Sequence, residues 1–274
     1  VFPKPPPPLP KNHSFSRLST FSEICERRYA YDCLRPQKPS TALARSWARG
    51  SQVHATIEHL CKRWFELKDW GEVYNEYNDD VTPFIEGPLD PQQMWGYMAR
   101  LRPYLEQTTP LEVEKRFCEI DGLPVVGKID LISATIPLVD AYRGVPSGGS
   151  VKGLCVIDWK TLGAGKKGKS NYEAHESLQL QLYSLASEIP TAAFVYLPMN
   201  AKVYSAQAQF TPEELARIKR WLETQDKTIR CRWEDYDNIG FDAFSLASRE
   251  CFLCTEKWCQ HWNECPAGAP RKDQ

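Results

Sequence analysis

The stretch LCVIDWK, Leu154 to Lys160, constrains the fold more than any other. A run that is almost wholly apolar reads as a strand buried within a sheet. It ends in an acid, Asp158, an aromatic, Trp159, and a lysine, Lys160. Side chains alternate along a strand, so Asp158 and Lys160 fall on one face and Trp159 on the other. The bland reading of an acid and a lysine at a strand end is a solvated ion pair of little worth.

The neighbouring segments supply the rest of a sheet. LEVEKRFCEIDGLPVVGKIDLISA alternates and is rich in β-branched residues, with turn points at IDG and VVG. It predicts two or three strands, near 111–119 and 124–134, with Asp130 ending one strand segment. TAAFVYLPM and KVYSAQAQF predict two more strands, and the glycine- and serine-containing stretch 140–153 reads as a loop. The interval from Asp130 to Asp158 is long for a plain hairpin, which predicts an inserted, substrate-guiding loop at 136–152.

Helices flank this region. SFSRLSTFSEICERRYAYDCL has Ser14 or Ser16 as a cap and Leu18, Phe21, Ile24 and Tyr29 for a buried face. Residues 41–70 predict one long helix carrying His54 and His59, interrupted by Gly50. Asp90 or Pro91 starts another, which Pro103 bends or ends. EAHESLQLQLYSLAS predicts a single helix with Leu178, Leu182 and Leu185 on one side. TPEELARIKRWLETQDKTI begins with Thr211 as N-cap, Pro212 at the first helical position and Glu214 at the capping-box position. Helices, antiparallel strands, a helix, strands and a helix predict a mixed central sheet flanked by helices, an α/β or α+β domain, with α/β the expected class. The expected division is a proline-rich tail (1–13), an N-terminal helical region (14–110), a core (111–245) and a cysteine-rich tail (246–274).

With 42% hydrophobic and 25% charged residues the chain can build a core, and it has no apolar run long enough to span a bilayer. No basic-then-apolar leader opens the sequence, so the expectation is a cytoplasmic protein of a bacterium or a phage-infected host. The net charge of −1 rules out a global basic footprint, so any nucleic-acid contact must be local. One local patch is GAGKKGK, directly after the buried strand. Its glycines let backbone approach a phosphate, and Lys166, Lys167 and Lys169 can neutralise it. The spacing is not that of a P-loop, so no nucleoside-triphosphate motor is expected.

Four of the ten cysteines, Cys251, Cys254, Cys259 and Cys265, crowd into the tail. In a chain without a secretory leader, such crowding points to metal ligation rather than disulfides. Four thiols at this spacing can close a zinc knuckle or contribute to an iron–sulfur cluster. Cys33, Cys61, Cys118, Cys155 and Cys231 read as buried small apolar residues.

Two carboxylates at the rim of a sheet can converge on Mg2+ or Mn2+. Gly127-Lys128-Ile129-Asp130, then Asp158-Trp159-Lys160-Thr161, then Gln179 and Tyr183 in QLQLY, resemble the RecB-like branch of the PD-(D/E)XK nucleases. His54 in GSQVHATIEHL and the segment SRLSTFSEICERRY occupy matching places upstream. The resemblance implies that Asp130 and Asp158 are metal-binding acids, joined by His54 and the Trp159 carbonyl. Lys160 is then the catalytic lysine, Gln179 and Tyr183 position it or touch DNA, and Glu114 resembles a further site acid. It further implies a 4Fe–4S cluster like that of AddB and the CRISPR-associated exonucleases. There Cys25 is the upstream ligand, Cys251, Cys254 and Cys259 follow downstream, and Cys265 is the rival for the third place. Zinc is the alternative.

The expected activity is a Mg2+- or Mn2+-dependent deoxyribonuclease working from an end of DNA. Single-stranded DNA or duplex ends are the partners, 5′→3′ the favoured polarity, and phage or prokaryotic recombination and repair the setting. The competing expectations are a non-catalytic DNA-binding subunit with a nuclease fold and a zinc-stapled structural protein.

Overall fold

A computed structural model describes residues 10–36, 41–79, 87–139, 146–163, 165–199, 201–247, 251, 253–255 and 259–267. The proline-rich start, residues 1–9, lies outside them. In chain order the elements are β1 (His13–Ser14), α1 (Phe15–Ser19), a π-helical turn (Thr20–Ile24), α2 (Glu26–Leu34), α3 (Thr41–Leu67), α4 (Trp70–Asp79) and α5 (Pro91–Leu105). Strands β2 (Pro110–Phe117), β3 (Val125–Val139) and β4 (Pro146–Leu162) follow, then α6 (Asn171–His175) and α7 (Leu178–Ser187). Strands β5 (Thr191–Pro198) and β6 (Tyr204–Gln209), α8 (Pro212–Ile239) and a 3-10 turn (Gly240–Ala243) complete the order. The chain divides into two compact units, one of residues 39–117 and 127–216, the other of residues 1–38, 118–126 and 217–274.

The first unit is built on strands in the order β2-β3-β4-β5-β6. All neighbours are antiparallel except β4 and β5, which run parallel with Asp158 beside Phe194 and Lys160 beside Tyr196. This is the mixed α/β sheet the sequence predicts. One face carries Leu131, Ile157, Trp159, Val195 and Leu197 against α3, α4 and α5, whose Ile57, Tyr74, Met98 and Leu101 are buried. The other carries Val156, Ala192 and Phe194 against α6 and α7. Burial on both faces explains why β4 and β5 read as near-continuous apolar runs.

The capping predictions hold. Asp90 caps α5 in a box with Gln93, and Thr211 and Glu214 exchange hydrogen bonds at 3.2 and 2.8 Å at the start of α8. Pro103 lies in the last turn of α5, which continues to Leu105.

Other expectations need correction. Of the five cysteines read as buried, Cys61 and Cys155 are, Cys33 is half-buried, and Cys118 and Cys231 are exposed. Residues 41–70 form not one helix but α3, ending at Leu67, and the start of α4. Gly50 does not interrupt α3. A Cβ there would lie 3.4 Å from Thr161 Oγ1, so the glycine brings helix backbone close to β4. EAHESLQLQLYSLAS is two helices, because Ser177 is extended and the Gln181 side chain takes up the His175 carbonyl at 2.9 Å. The loop expected at 140–153, with its inserted element at 136–152, is instead largely paired. β3 and β4 continue as an antiparallel hairpin through Pro137–Ser150 and Val139–Pro146. Residues 140–145 lie outside the described set. Serine and glycine there favour a turn locally, but a partner strand that supplies hydrogen bonds overrides that preference. Asp130 and Asp158 are accordingly mid-strand residues rather than strand ends.

The second unit ties chain start to chain end. β1 pairs parallel with Val125 and Val126. Arg27 donates to the Phe244 carbonyl at 3.2 Å and pairs with Asp242 at 2.9 Å, and Arg232 meets Glu26 at 2.9 Å. The Tyr31 ring stacks on Phe241 at 4.2 Å and on His261 at 5.0 Å.

Candidate active site

The sheet of the first unit brings the two acids together. Asp130 and Asp158 lie on the adjacent strands β3 and β4 and are 7% and 2% exposed. Two carboxylates so buried are costly unless each oxygen has a partner. Asp130 Oδ2 accepts the Trp159 backbone N–H at 2.8 Å, and His54 Nδ1 lies 3.4 Å from the same oxygen. Asp158 Oδ1 accepts from Gln179 Nε2 at 2.7 Å, and that amide also donates to the Tyr183 hydroxyl at 3.1 Å. Lys160 Nζ lies 2.5 Å from Asp158 Oδ2, an ion-pair distance, yet its angle leaves that buried oxygen without a formed hydrogen bond. The charges attract at this separation.

The electrostatics follow from this packing. Burial pushes the Asp158 carboxyl up to about 6; Lys160 pulls it down and Asp130 pushes it further up. For His54 burial disfavours the charge, but Asp130 and Asp158 outweigh it and the imidazole is raised. Tyr183 is raised by burial and then by the charge of Asp158. Perturbed groups clustered this way make the cluster a candidate functional centre.

Three further residues belong to the same neighbourhood. Glu114 stands across from Asp130 in the β2–β3 register and has φ 57°, unusual for a glutamate in a strand. It pairs with Lys128, the lysine of the GKID stretch. Phe194, which the sequence did not single out, holds Lys160 Nζ at 5.4 Å and Lys169 Nζ at 5.6 Å from its ring centre. The loop lysine thus converges on the same ring as the strand lysine. Gly168 anchors that loop, because a Cβ would lie 2.5 Å from the Tyr196 ring, and its N–H donates to the Tyr204 hydroxyl. Lys166 and Lys167 are exposed, as is His59 on α3. The Trp159 ring packs edge-on against Tyr104 at 6.0 Å in the core.

The sequence profile of the PD-(D/E)XK nuclease superfamily matches residues 12–266. The chain belongs to that superfamily. No curated protein matches this PD-(D/E)XK chain. Two solved structures are similar to it. One, described as SSO0001, shares 14% identity over 94% of this chain and 88% of its own, at a TM-score of 0.37. The other, described as a "Putative exonuclease" from Eubacterium rectale, shares 13% identity over 92% of this chain and 88% of its own, at a TM-score of 0.41.

The second unit of this PD-(D/E)XK chain gathers the cysteines. Cys25, Cys254, Cys259 and Cys265 line one small apolar cavity together with His261 and Trp262. Cys25 is the N-cap of α2, its Sγ accepting the Arg28 N–H at 3.4 Å. Cys251 is outside the lining, and its carbonyl accepts the Cys254 N–H at 2.9 Å. Burial raises the Cys254 thiol, followed by Cys25, Cys259, Cys265 and Cys251. The Cys259 thiol is raised by burial and lowered by the His261 backbone N–H. Sequence reasoning overlooked His261, although it sits within CQHWNEC; it is fully buried and 2.8 Å from Asp32. Among the described residues no three His, Cys, Asp or Glu side chains stand ready at metal-binding distances. Among those residues, no helix is long and apolar enough to cross a membrane.

Proposed function

We propose that the protein is a DNA exonuclease dependent on Mg2+ or Mn2+, acting on single-stranded DNA from an end in the 5′→3′ direction. The observation that carries the reading is the buried pair Asp130 and Asp158 with Lys160 ion-paired to Asp158. Substrate and polarity rest on the resemblance to RecB-like nucleases, as does a role in phage or prokaryotic recombination and repair.

The donors suit a hard divalent cation: two buried carboxylates, one with an oxygen lacking a formed hydrogen bond, and the His54 imidazole beside them. Asp130, Asp158, His54 and the Trp159 carbonyl would hold it. When bound, such an ion polarises a phosphate oxygen and lowers the pKa of a coordinated water. The chain's own residues do the rest. Gln179, itself hydrogen-bonded to Tyr183, fixes the Asp158 carboxylate. The Trp159 N–H fixes that of Asp130. Lys160 presents its ammonium where charge grows on the phosphate, and the Phe194 ring steers both Lys160 and Lys169 toward that place. Lys166 and Lys167 then contact the backbone beyond.

The cysteine cavity supports a structural 4Fe–4S cluster. Four thiols lining one apolar pocket, with the His261 N–H directed at Cys259, suit clustered iron and sulfide. We assign Cys25, Cys254, Cys259 and Cys265 as ligands and leave Cys251 as the remaining thiol. Zinc on the same four thiols is the second reading, since the number and type of donors suit it equally.

The deciding experiment digests end-labelled linear and circular DNA, single- and double-stranded, with Mn2+, comparing wild type with Asp158→Ala. Loss of linear single strands in wild type only, with circles intact, is the expected result. Identical behaviour of the two proteins would overturn the catalytic assignment and favour a DNA-binding subunit.

A further inference from the structure

We infer that Trp47 is a stacking platform for an unpaired base of the substrate strand, about three nucleotides or fewer from the bond that is cut. The inference rests on the nuclease reading for the position of that bond. Trp47 is 57% exposed, the most exposed of the chain's tryptophans among the described residues. An indole on a helix surface is far from where its transfer free energy would place it.

Its location gives it a use. Trp47 precedes His54 by two helical turns on α3, which at about 100° per residue puts the two side chains within roughly 20° of one azimuth. At about 1.5 Å of rise per residue the separation along the axis is roughly 10 Å. Stacked nucleotides advance about 3.4 Å along a strand, so a base on Trp47 would be about three steps from a phosphate at His54. Between them the same face of the helix carries the two small residues Gly50 and Ser51. Gly50 also places this face beside β4, since its backbone abuts Thr161, the residue after Lys160.

The rest of α3 separates core from contact surface. Arg45, Ser46, Trp47 and Ala48 are all exposed, whereas Gln52, Val53, Thr56, Ile57 and Leu60 are buried. The helix therefore extends beyond the core it packs on, and the extension carries the tryptophan. Among the described residues no hydrogen bond, ring contact or ion pair engages its indole. Every base has a π-face, so stacking on an indole favours unpaired bases without regard to sequence, while bases within a duplex are already stacked. The occupant that fits a bare indole leading to an acid pair with lysines is thus a single strand.

The test measures binding and cleavage separately. Fluorescence anisotropy of a labelled oligothymidylate is recorded with Ca2+ in place of Mn2+, for wild type, Trp47→Ala and Trp47→Phe, and again with a blunt duplex. The expected result is an affinity for the single strand about tenfold weaker in Trp47→Ala, with most of it restored in Trp47→Phe and the duplex unchanged. An oligonucleotide with one abasic site at the stacked position should erase the difference between wild type and Trp47→Ala. Unchanged single-strand binding in Trp47→Ala, or an equal loss on the duplex, overturns the inference. So does wild type that binds no oligonucleotide, or a smaller species on gel filtration of Trp47→Ala, which would show that the indole serves self-association. If the binding results are as expected but wild type cuts nothing with Mn2+, the nuclease reading fails while the platform stands.

Discussion

At the residue scale the site is governed by what burial does to a carboxylate. Asp158 is held at about 6 against an ordinary value of 3.8, because its charged form is desolvated more than Lys160 compensates. A raised carboxyl favours the folded state in its protonated form. That contribution is fully present below about 4 and is lost as pH rises through about 6. Asp158→Asn should therefore stabilise the metal-free protein at pH 7.5, by at most about 3 kcal/mol, and by much less at pH 4.5. Thermal unfolding of both proteins in EDTA across that range checks the sign. Protons compete with a cation for the same groups, so the rise in Tm produced by Mn2+ in wild type should shrink as pH falls below about 6. An Mn2+ effect on Tm that does not vary between pH 5 and 8 would remove Asp158 and His54 from the ligand set. Asp158 and Lys160 were legible in the sequence as one face of a strand by side-chain parity, and Asp130 as an acid closing an apolar strand segment. Gln179 and Tyr183 were legible only through resemblance, since nothing in QLQLY says which strand its helix faces.

At the scale of elements, two glycines show how close approach fixes the site. A Cβ on Gly127 would lie 2.2 Å from Phe117 Cζ, and the Phe117 ring is already packed edge-on to Tyr183 at 6.1 Å. Gly127→Ala should destabilise the protein by about 1–3 kcal/mol, and Phe117→Leu in the same chain should recover part of that. Denaturant unfolding of the single and double variants measures the coupling. Gly168 is the corresponding residue of the lysine loop. Gly168→Ala pushes the loop off the Tyr196 ring and carries Lys169 away from Phe194. Its expected effect is a severalfold rise in KM for DNA with kcat little changed, because a remote phosphate contact is weakened in ground and transition states alike. An unchanged KM would show that the loop does not touch the substrate. The sequence marked this loop as a phosphate contact. It did not show that Tyr196 and Tyr204, distant in the chain, hold it in place.

At the scale of the whole molecule, the cysteine cavity joins segments from opposite ends of the chain: Cys25 at the start of α2, and Cys254, Cys259 and Cys265 in the tail. A group that binds all four binds the folded state alone and stabilises it by linkage. Protein purified without oxygen should be brown and contain iron and sulfide, and iron chelation should lower Tm by several degrees. Cys25→Ser, Cys254→Ser, Cys259→Ser and Cys265→Ser should each lose iron, whereas Cys251→Ser should keep it. Retention of iron in Cys265→Ser with loss in Cys251→Ser would reverse the assignment, and zinc in place of iron would support the second reading.

The sequence by itself determined the α/β class, the strands that carry the two acids and the caps of α5 and α8. Each of these depends on local periodicity or on side chains a few residues apart. Tertiary structure decided that β3 and β4 run on through a serine- and glycine-containing stretch, because hydrogen bonds from a partner strand outweigh local turn preference. It decided that Phe194 lies beside two lysines and that Cys25, Cys254, Cys259 and Cys265 line one cavity. Those facts depend on which distant segments share a surface, and no spacing along the chain encodes that.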